Sequence, residues 1–381
     1  MSRKDDILEK MDYATTHISE TVKEQKEAGK KVIGVMPVYA PEELVHAAGM
    51  FPVGCWGGCT SISKAVKYLP PFACSVVQSI TEFAMNGTYN GLDGMLMSGP
   101  CDTLKCMTQN WPTACPQVPS AVLIYPNNHK LDCGVVYLEK ELQEVKGFLE
   151  KTAKVKITEE ALNRSISIYN ENRKAMQAFT EITAARPGCI SAKMRHAVMK
   201  SRYCMWKEDH TKLVLALNEE LKKYPEHQWD GQKIVLAGVM AEPDSLLELF
   251  DEFHMAVVGD ELAQESRQFR TLVPDGKDGL HRLALQWKNM EGCTFVYDPD
   301  KKRAKMLADM ARKTQADGVV LCLMKFCDPE EFDVPWLKQA LDEIHVPMLS
   351  LDIDLNADSS EQAKTRVQAF SEQLRSAAAA F

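Results

Sequence analysis

Three cysteines stand where an apolar, strand-like run gives way to a helix-like one. Cys327 follows "DGVVLCLMKF" and precedes Asp328, Pro329 and Glu330; Cys101 follows "DGMLMSGP" and precedes Asp102. Cys74 falls in the first turn of a helix expected after the Pro70-Pro71 break. A helix start carries unpaired N–H groups and roughly half a positive charge. That field favours a thiolate and is expected to lower the thiol pKa. In the "KFCDPEEF" stretch Asp328 reads as the cap and Pro329 as the first helical residue. Three thiolates gathered in one crevice could hold an iron–sulfur cluster or a zinc ion. The local spacings "CWGGC", "CDTLKC" and "CLMKFC" are not ferredoxin-like, and a structural zinc site asks for tighter ligand pairs. A cluster on three cysteines would leave one iron open to an exogenous ligand.

The remaining cysteines divide by context. Cys133, Cys189, Cys204, Cys293 and Cys322 are expected to be small core hydrophobes. Cys55, Cys59, Cys106 and Cys115 stay undecided, with Cys106, one helical turn past Cys101, as the reserve ligand.

The elements that must position these thiols occur twice. "KKVIGVMPVYAPEELVHAAGMFPVG" has a counterpart in "QKIVLAGVMAEPDSLLELFDEFHMAVVG", each a strand, a proline-bearing loop, a helix and a short strand. "DGMLMSGPCDTLKCM" pairs with "DGVVLCLMKFCDPEEF", and "QVPSAVLIYP" with "HVPMLSLDID". The repeat predicts an α/β protein with two similar doubly wound, flavodoxin- or Rossmann-like parallel-sheet domains. Their expected limits are 1–150 and 228–381, joined by a helical segment over 151–227, with the metal centre in the crevice between them. Leu162, Ile166, Tyr169, Met176 and Phe179 form one apolar stripe of that segment, and Met194, Val198, Met205 and Leu213 a second. The opening "DDILEKMDYATTHISETVKEQKEAG" reads as one helix closed by Gly29.

Several function classes are disfavoured. A formal charge of −8 without a basic run argues against nucleic acid. No stretch approaches 18 apolar residues, so no membrane span is expected. The start "MSRKDDILEKMDY" lacks the apolar core of a secretory signal, and twelve cysteines then suit a reducing, cytoplasmic location. Neither G-x-G-x-x-G nor G-x-x-x-x-G-K-[ST] occurs, so no phosphate loop is offered. His46 reads as structural, and Glu42, Glu43 and the acids and Arg267 of "DELAQESRQFR" as solvated helix starts and surface ion pairs.

Five blocks in order, "PVYAPEELVHAAGMFPVGCWGG", "PPFACSVVQS", "PCDTLKCMTQNW", "DELAQESRQFR" and "MKFCDPEEFDVPWLK", resemble the smaller (β) subunit of 2-hydroxyacyl-CoA dehydratases. The likeness runs through nearly the whole chain and looks nearest to the lactoyl-CoA type. It implies a [4Fe-4S] cluster held by Cys74 in "FACS", Cys101 in "PCDTL" and Cys327 in "KFCDPEE". It also implies a larger α subunit that carries most of the 2-hydroxyacyl-CoA site, and a separate ATP-dependent iron–sulfur activator. The implied reaction is a radical, ketyl-type dehydration to the 2-enoyl-CoA, a hydro-lyase activity in which this chain relays the electron and forms one wall of the active site. Two other readings stand beside it. One is membership of an ATP-dependent reductase of benzoyl-CoA or double-cubane-cluster type; the other is an electron-transfer scaffold that never meets substrate.

Overall fold

The computed structural model describes residues 2–36, 38–356 and 360–379. Helices α1 (Arg3–Thr16) and α2 (Ile18–Glu27) lead into β1 (Val32–Val35), α3 (Glu42–Ala47), β2 (Phe51–Gly54) and α4 (Ser75–Asn86). Then come β3 (Gly94–Ser98), α5 (Asp102–Ala114) and β4 (Ser120–Leu123). Four helices follow: α6 (Asp132–Ala153), α7 (Glu159–Ala185), α8 (Ala192–Ser201) and α9 (Lys207–Leu221). The strand-rich pattern resumes with β5 (Gln232–Gly238), α10 (Asp244–Glu252), β6 (Met255–Leu262), α11 (Gly279–Lys288) and α12 (Lys302–Thr314). It ends with β7 (Gly318–Met324), α13 (Asp328–Asp342), β8 (Met348–Ile353) and α14 (Ser360–Ala379). The expected single opening helix is two, because His17 leaves helical geometry (φ −118°, ψ 41°) and separates α1 from α2. No helix among the described residues is long and apolar enough to cross a membrane.

The repeated sequence blocks give two four-stranded sheets of the same order, β2-β1-β3-β4 and β6-β5-β7-β8. Every pairing in both is parallel. The inner strands are short apolar runs such as "VIGV" and "GVVLCLM", almost wholly buried, as parallel sheets covered on both faces require, while the edge strands β4 and β8 are half-buried. In each sheet the order turns back between the first and third strands, and there the carboxyl ends open a crevice. Cys101 follows β3 and Cys327 follows β7, so the two stand at equivalent places. Gly238 closes β5 at φ +125°, where a Cβ would meet the Cys322 carbonyl at 2.1 Å; only glycine lets β5 and β7 pair this closely there.

One apolar cluster runs from the first sheet (Val32, Phe51, Met95) to the second (Ile234, Val320) and includes Cys327, with Cys74 and Cys101 packed against it. A hydroxyl fixes that junction: Ser75 donates to the Met324 sulfur at 3.1 Å and accepts the Leu355 N–H at 3.0 Å. The first turn of α4 is thereby tied to the ends of β7 and β8. A separate cluster packs α1 on α7, α8 and α9 through Met11, Met176, Phe179 and Val198, so the methionines of the stripe fill core space.

Candidate active-site crevice

Each of the three cysteines is the N-cap of its helix. The Cys74 carbonyl accepts from the Gln78 N–H (3.1 Å), that of Cys101 from Lys105 (3.0 Å) and that of Cys327 from Glu331 (3.0 Å). Asp328 is therefore the first residue of α13 and Pro329 the second, so the helix starts one residue earlier than the sequence suggests. The reason is local. Phe326 adopts a left-handed conformation (φ +63°), and the Cys327 N–H turns back to the Met324 carbonyl at 2.9 Å, so the helix begins after the thiol. Cys74 likewise caps α4 and does not lie in its first turn.

The expected lowering of the thiol pKa values is reversed. Burial pushes Cys74 up to about 12, despite the N–H groups of Val77 and Val76 directed at its sulfur. Cys101 is raised for the same reason, against the pull of the Leu104 and Thr103 amides. Cys327 is pushed well above the ordinary thiol range: burial comes first, then the charges of Glu330, Cys74 and Cys101. Desolvation outweighs the helix field because Cys327 lies in the shared core and Cys74 and Cys101 pack against it, rather than standing at an exposed turn. Cys327 belongs to the apolar cluster shared by the two sheets, and Cys74 and Cys101 pack against it, so three helix starts lead to one cluster. Among the described residues, no group of three or more His, Cys, Asp or Glu side chains stands as a ready nest for a metal ion.

Of the other cysteines, Cys189, Cys204, Cys293 and Cys322 are buried as expected. Cys133 is exposed, contrary to expectation, because the second residue of α6 lies outside that helix's buried stripe of Val135, Leu138, Leu142 and Val145. Cys55 and Cys115 are core; Cys59 and Cys106 are exposed.

The largest departure from the sequence reading concerns the carboxylates. Asp260, Glu261, Glu265 and Arg267 are buried, as are Glu42 and Glu43. β6 continues to Leu262, so its terminal acids sit inside a covered strand rather than at a solvated helix start. Arg267 clasps Glu261 with Nε (2.5 Å) and Nη2 (2.6 Å) and reaches Glu330 with Nη1 (3.0 Å). Arg303 bridges the same two acids at 2.9 and 2.6 Å and adds Asp333 at 3.0 Å. Glu330 is the third residue after Cys327, so this network anchors the first turn of α13 beneath the thiol. The available signal was an apolar run, "HMAVVGDELA", that resumes after its acids.

A second network lies on α8. Arg195 pairs with Asp260 (2.5 Å) and Glu265 (2.7 Å), and His196 Nδ1 faces Glu265 at 2.8 Å. Burial opposes charge on His196, yet bonding to Glu242 and Glu265 raises its pKa to about 9. A raised histidine stabilises the fold fully below the unfolded value near 6.5 and loses that contribution as pH climbs through about 9. The melting temperature is therefore expected to fall across that window, with a loss of up to about 3 kcal/mol of stability. His196→Gln should remove this part of the slope, which thermal denaturation at stepped pH would read directly.

The fold defines a twin-sheet α/β protein with a helix-capping cysteine after the third strand of each half and buried arginine–carboxylate networks. The family described as 2-hydroxyglutaryl-CoA dehydratase, D-component, matches residues 37–374, and the chain belongs to it. It is 44% identical over 377 residues to the lactoyl-CoA dehydratase subunit beta of Anaerotignum propionicum, covering 98% of this chain and 100% of that one. It is 42% identical to the (R)-phenyllactyl-CoA dehydratase beta subunit of Clostridium sporogenes, covering 93% and 94%. A benzoyl-CoA reductase polypeptide of Thauera aromatica is more distant, at 26% identity over 98% of each chain. The chain is thus a dehydratase β-type subunit by family, and the resemblance carried by the five sequence blocks holds.

Proposed function

We propose that this chain is the β subunit of an (R)-2-hydroxyacyl-CoA dehydratase, working with a larger α subunit and an ATP-dependent activator. Cys74, Cys101 and Cys327 would hold a [4Fe-4S] cluster in the crevice between an N-terminal α/β domain (1–150) and a C-terminal one (228–381). The observation that supports this reading is that the three helix-capping cysteines, from both halves of the repeat, belong to or pack against one apolar cluster. Their donor chemistry fits. Neutral buried thiols are poor ligands until a cationic centre displaces their protons, and thiolates are what iron–sulfur centres take.

When bound, such a cluster supplies one low-potential electron and takes it back. The electron matters because the leaving hydroxyl is on the α-carbon while the proton to be lost is on the unactivated β-carbon. Adding one electron to the thioester carbonyl gives a ketyl radical anion that expels hydroxide from the α-carbon. Loss of the β-proton from the resulting enoxy radical, and return of the electron, leaves the 2-enoyl-CoA. This chain's own part is to bury the thiols, to hold α13 through Glu330, and to exclude water from the crevice. Phe72, Phe326, Phe332 and Trp336 are exposed within a few residues of the thiols or on α13, an apolar surface suited to the α subunit. The 44% identity to a lactoyl-CoA relative, against 26% to a reductase relative, favours dehydration over stoichiometric reduction.

The test is to purify the chain anaerobically with its larger subunit and activator and to offer a panel of 2-hydroxyacyl-CoA thioesters. A brown complex forming enoyl-CoA with catalytic amounts of electron donor is expected. A colourless, iron-free chain, or donor consumed mole for mole with product, would sink the proposal.

A further inference from the structure

Away from the thiols, a cleft of about 50 Å³ lies where the β1–α3 loop, α7, the α8–α9 turn and α11 meet. Its floor is ionic. Glu43 pairs with Arg173 at 2.5 Å, and Glu42 with Lys207 at 2.8 Å. Arg267 faces the cleft too but is spent on Glu261 and Glu330. That leaves Arg202. Its side chain is buried (3% exposed) and lies over the Tyr203 ring at 4.9 Å; among the described residues no carboxylate reaches it within ion-pair distance, although the Glu42 charge acts on it. Its Nε and Nη1 have no hydrogen-bond partner, nor has Nε of Arg173, equally buried. The opposite side of the cleft is apolar, with Leu138, Leu142, Leu283 and Trp287.

Burial works against this charge, and Tyr203 and Glu42 outweigh it, yet Nε and Nη1 are left without acceptors in a place stripped of water. The effect reaches its neighbour: burial first, and then the Arg202 charge, pull the Lys207 ammonium down to about 8, against the pull of Glu42. What is missing is one negative charge with acceptor oxygens that can take two or three N–H groups at once, and a short apolar end. We infer that this cleft binds a small monocarboxylate, its oxygens on Arg202 and Arg173 and its alkyl group toward Leu138 and Trp287. A planar carboxylate matches the guanidinium fork, which a spherical halide does not. The cleft is too small for a coenzyme A thioester. The inference therefore stands whether or not the dehydratase reading does.

The experiment uses the full-length chain, dialysed into carboxylate-free buffer at fixed ionic strength. Acetate and propionate are expected to raise the melting temperature in a saturable way, by about 2 °C at ten times the dissociation constant. Chloride and neutral acetamide should not. Arg202→Met should abolish the response, while Arg202→Lys, which keeps the charge but loses the fork, should weaken it. A Met variant that responds like the wild type would overturn the site. Should the variant fail to fold, ¹³C-acetate titration of the wild type decides by itself. One saturable site indifferent to acetamide and chloride supports the inference; no saturable site, or chloride competing equally, refutes it.

Discussion

Cys327→Ala, purified anaerobically with the larger subunit, is expected to lose the iron–sulfur centre of this chain and with it at least about 100-fold in dehydratase activity. Iron and acid-labile sulfide should fall by about four each per chain. The reasoning runs from the fold upward. Cys327 is the one thiol of the three contributed by the second half of the repeat, and it feels both Cys74 and Cys101. Two thiols at the starts of α4 and α5 would remain, both from the first half, leaving one side of the crevice without a donor. Loss of the helix itself is not the expected cause. The Cys327 side chain makes no capping hydrogen bond, and α13 is held from below by Glu330 and Asp333. Far-ultraviolet dichroism should therefore stay unchanged while the colour goes. Cys101→Ala should behave alike. Cys293→Ala and Cys106→Ala are the controls. Cys293 is buried beside Tyr39, whose hydroxyl lies 2.9 Å from its sulfur, while Cys106 is exposed and near Asn110, so neither joins the three. Full iron content in Cys327→Ala would show that the ligand lies elsewhere.

Much of this architecture was legible because repeats and apolar runs are properties of the chain itself. The strand–thiol–helix pattern at Cys101 and Cys327 appears in the structure as two identical sheet orders with the cysteines at matching ends. What misled was environment. A helix start promises a lowered pKa, but whether burial overrides it depends on what covers the turn, and Val76, Met324 and the rest of that shared cluster come from distant parts of the chain. The acids failed for a related reason. "DELAQESRQFR" has the composition of a surface, and distant partners make it interior: Arg303, 42 residues beyond Glu261, Glu330, 63 beyond Arg267, and Arg195 on α8. Arg202 carried no sequence signal at all, because an unpaired charge is defined by what does not come near it.

Arg267→Met is the substitution expected to damage stability most. Its side chain is fully buried, and it satisfies both oxygens of Glu261 and one of Glu330. Those contacts, with Arg303, hold the Glu261 carboxyl below its usual range even though burial pushes the other way. Removing one arginine from a buried set leaves two carboxylates sharing what remains, and breaking such a pair costs about 3–5 kcal/mol. For a chain of this length that is a melting temperature lower by about 5 °C. The sign with pH follows. A carboxyl depressed in the fold stabilises above its unfolded pKa and loses that contribution as pH falls through the folded value, so the wild type keeps it at neutral pH. In the variant Glu261 is expected to titrate higher, and acid unfolding should begin at a higher pH. The double variant Arg267→Met/Glu330→Gln should recover part of the loss, because it removes the charge left unmatched. The same comparison separates a scaffold from a ligand role: the single variant should hold its iron below its own melting temperature, since Glu330 still meets Arg303 at 2.6 Å. A stability within about 0.5 kcal/mol of the wild type, or a double variant no better than the single one, would mean that the network beneath α13 does not bear the load assigned to it.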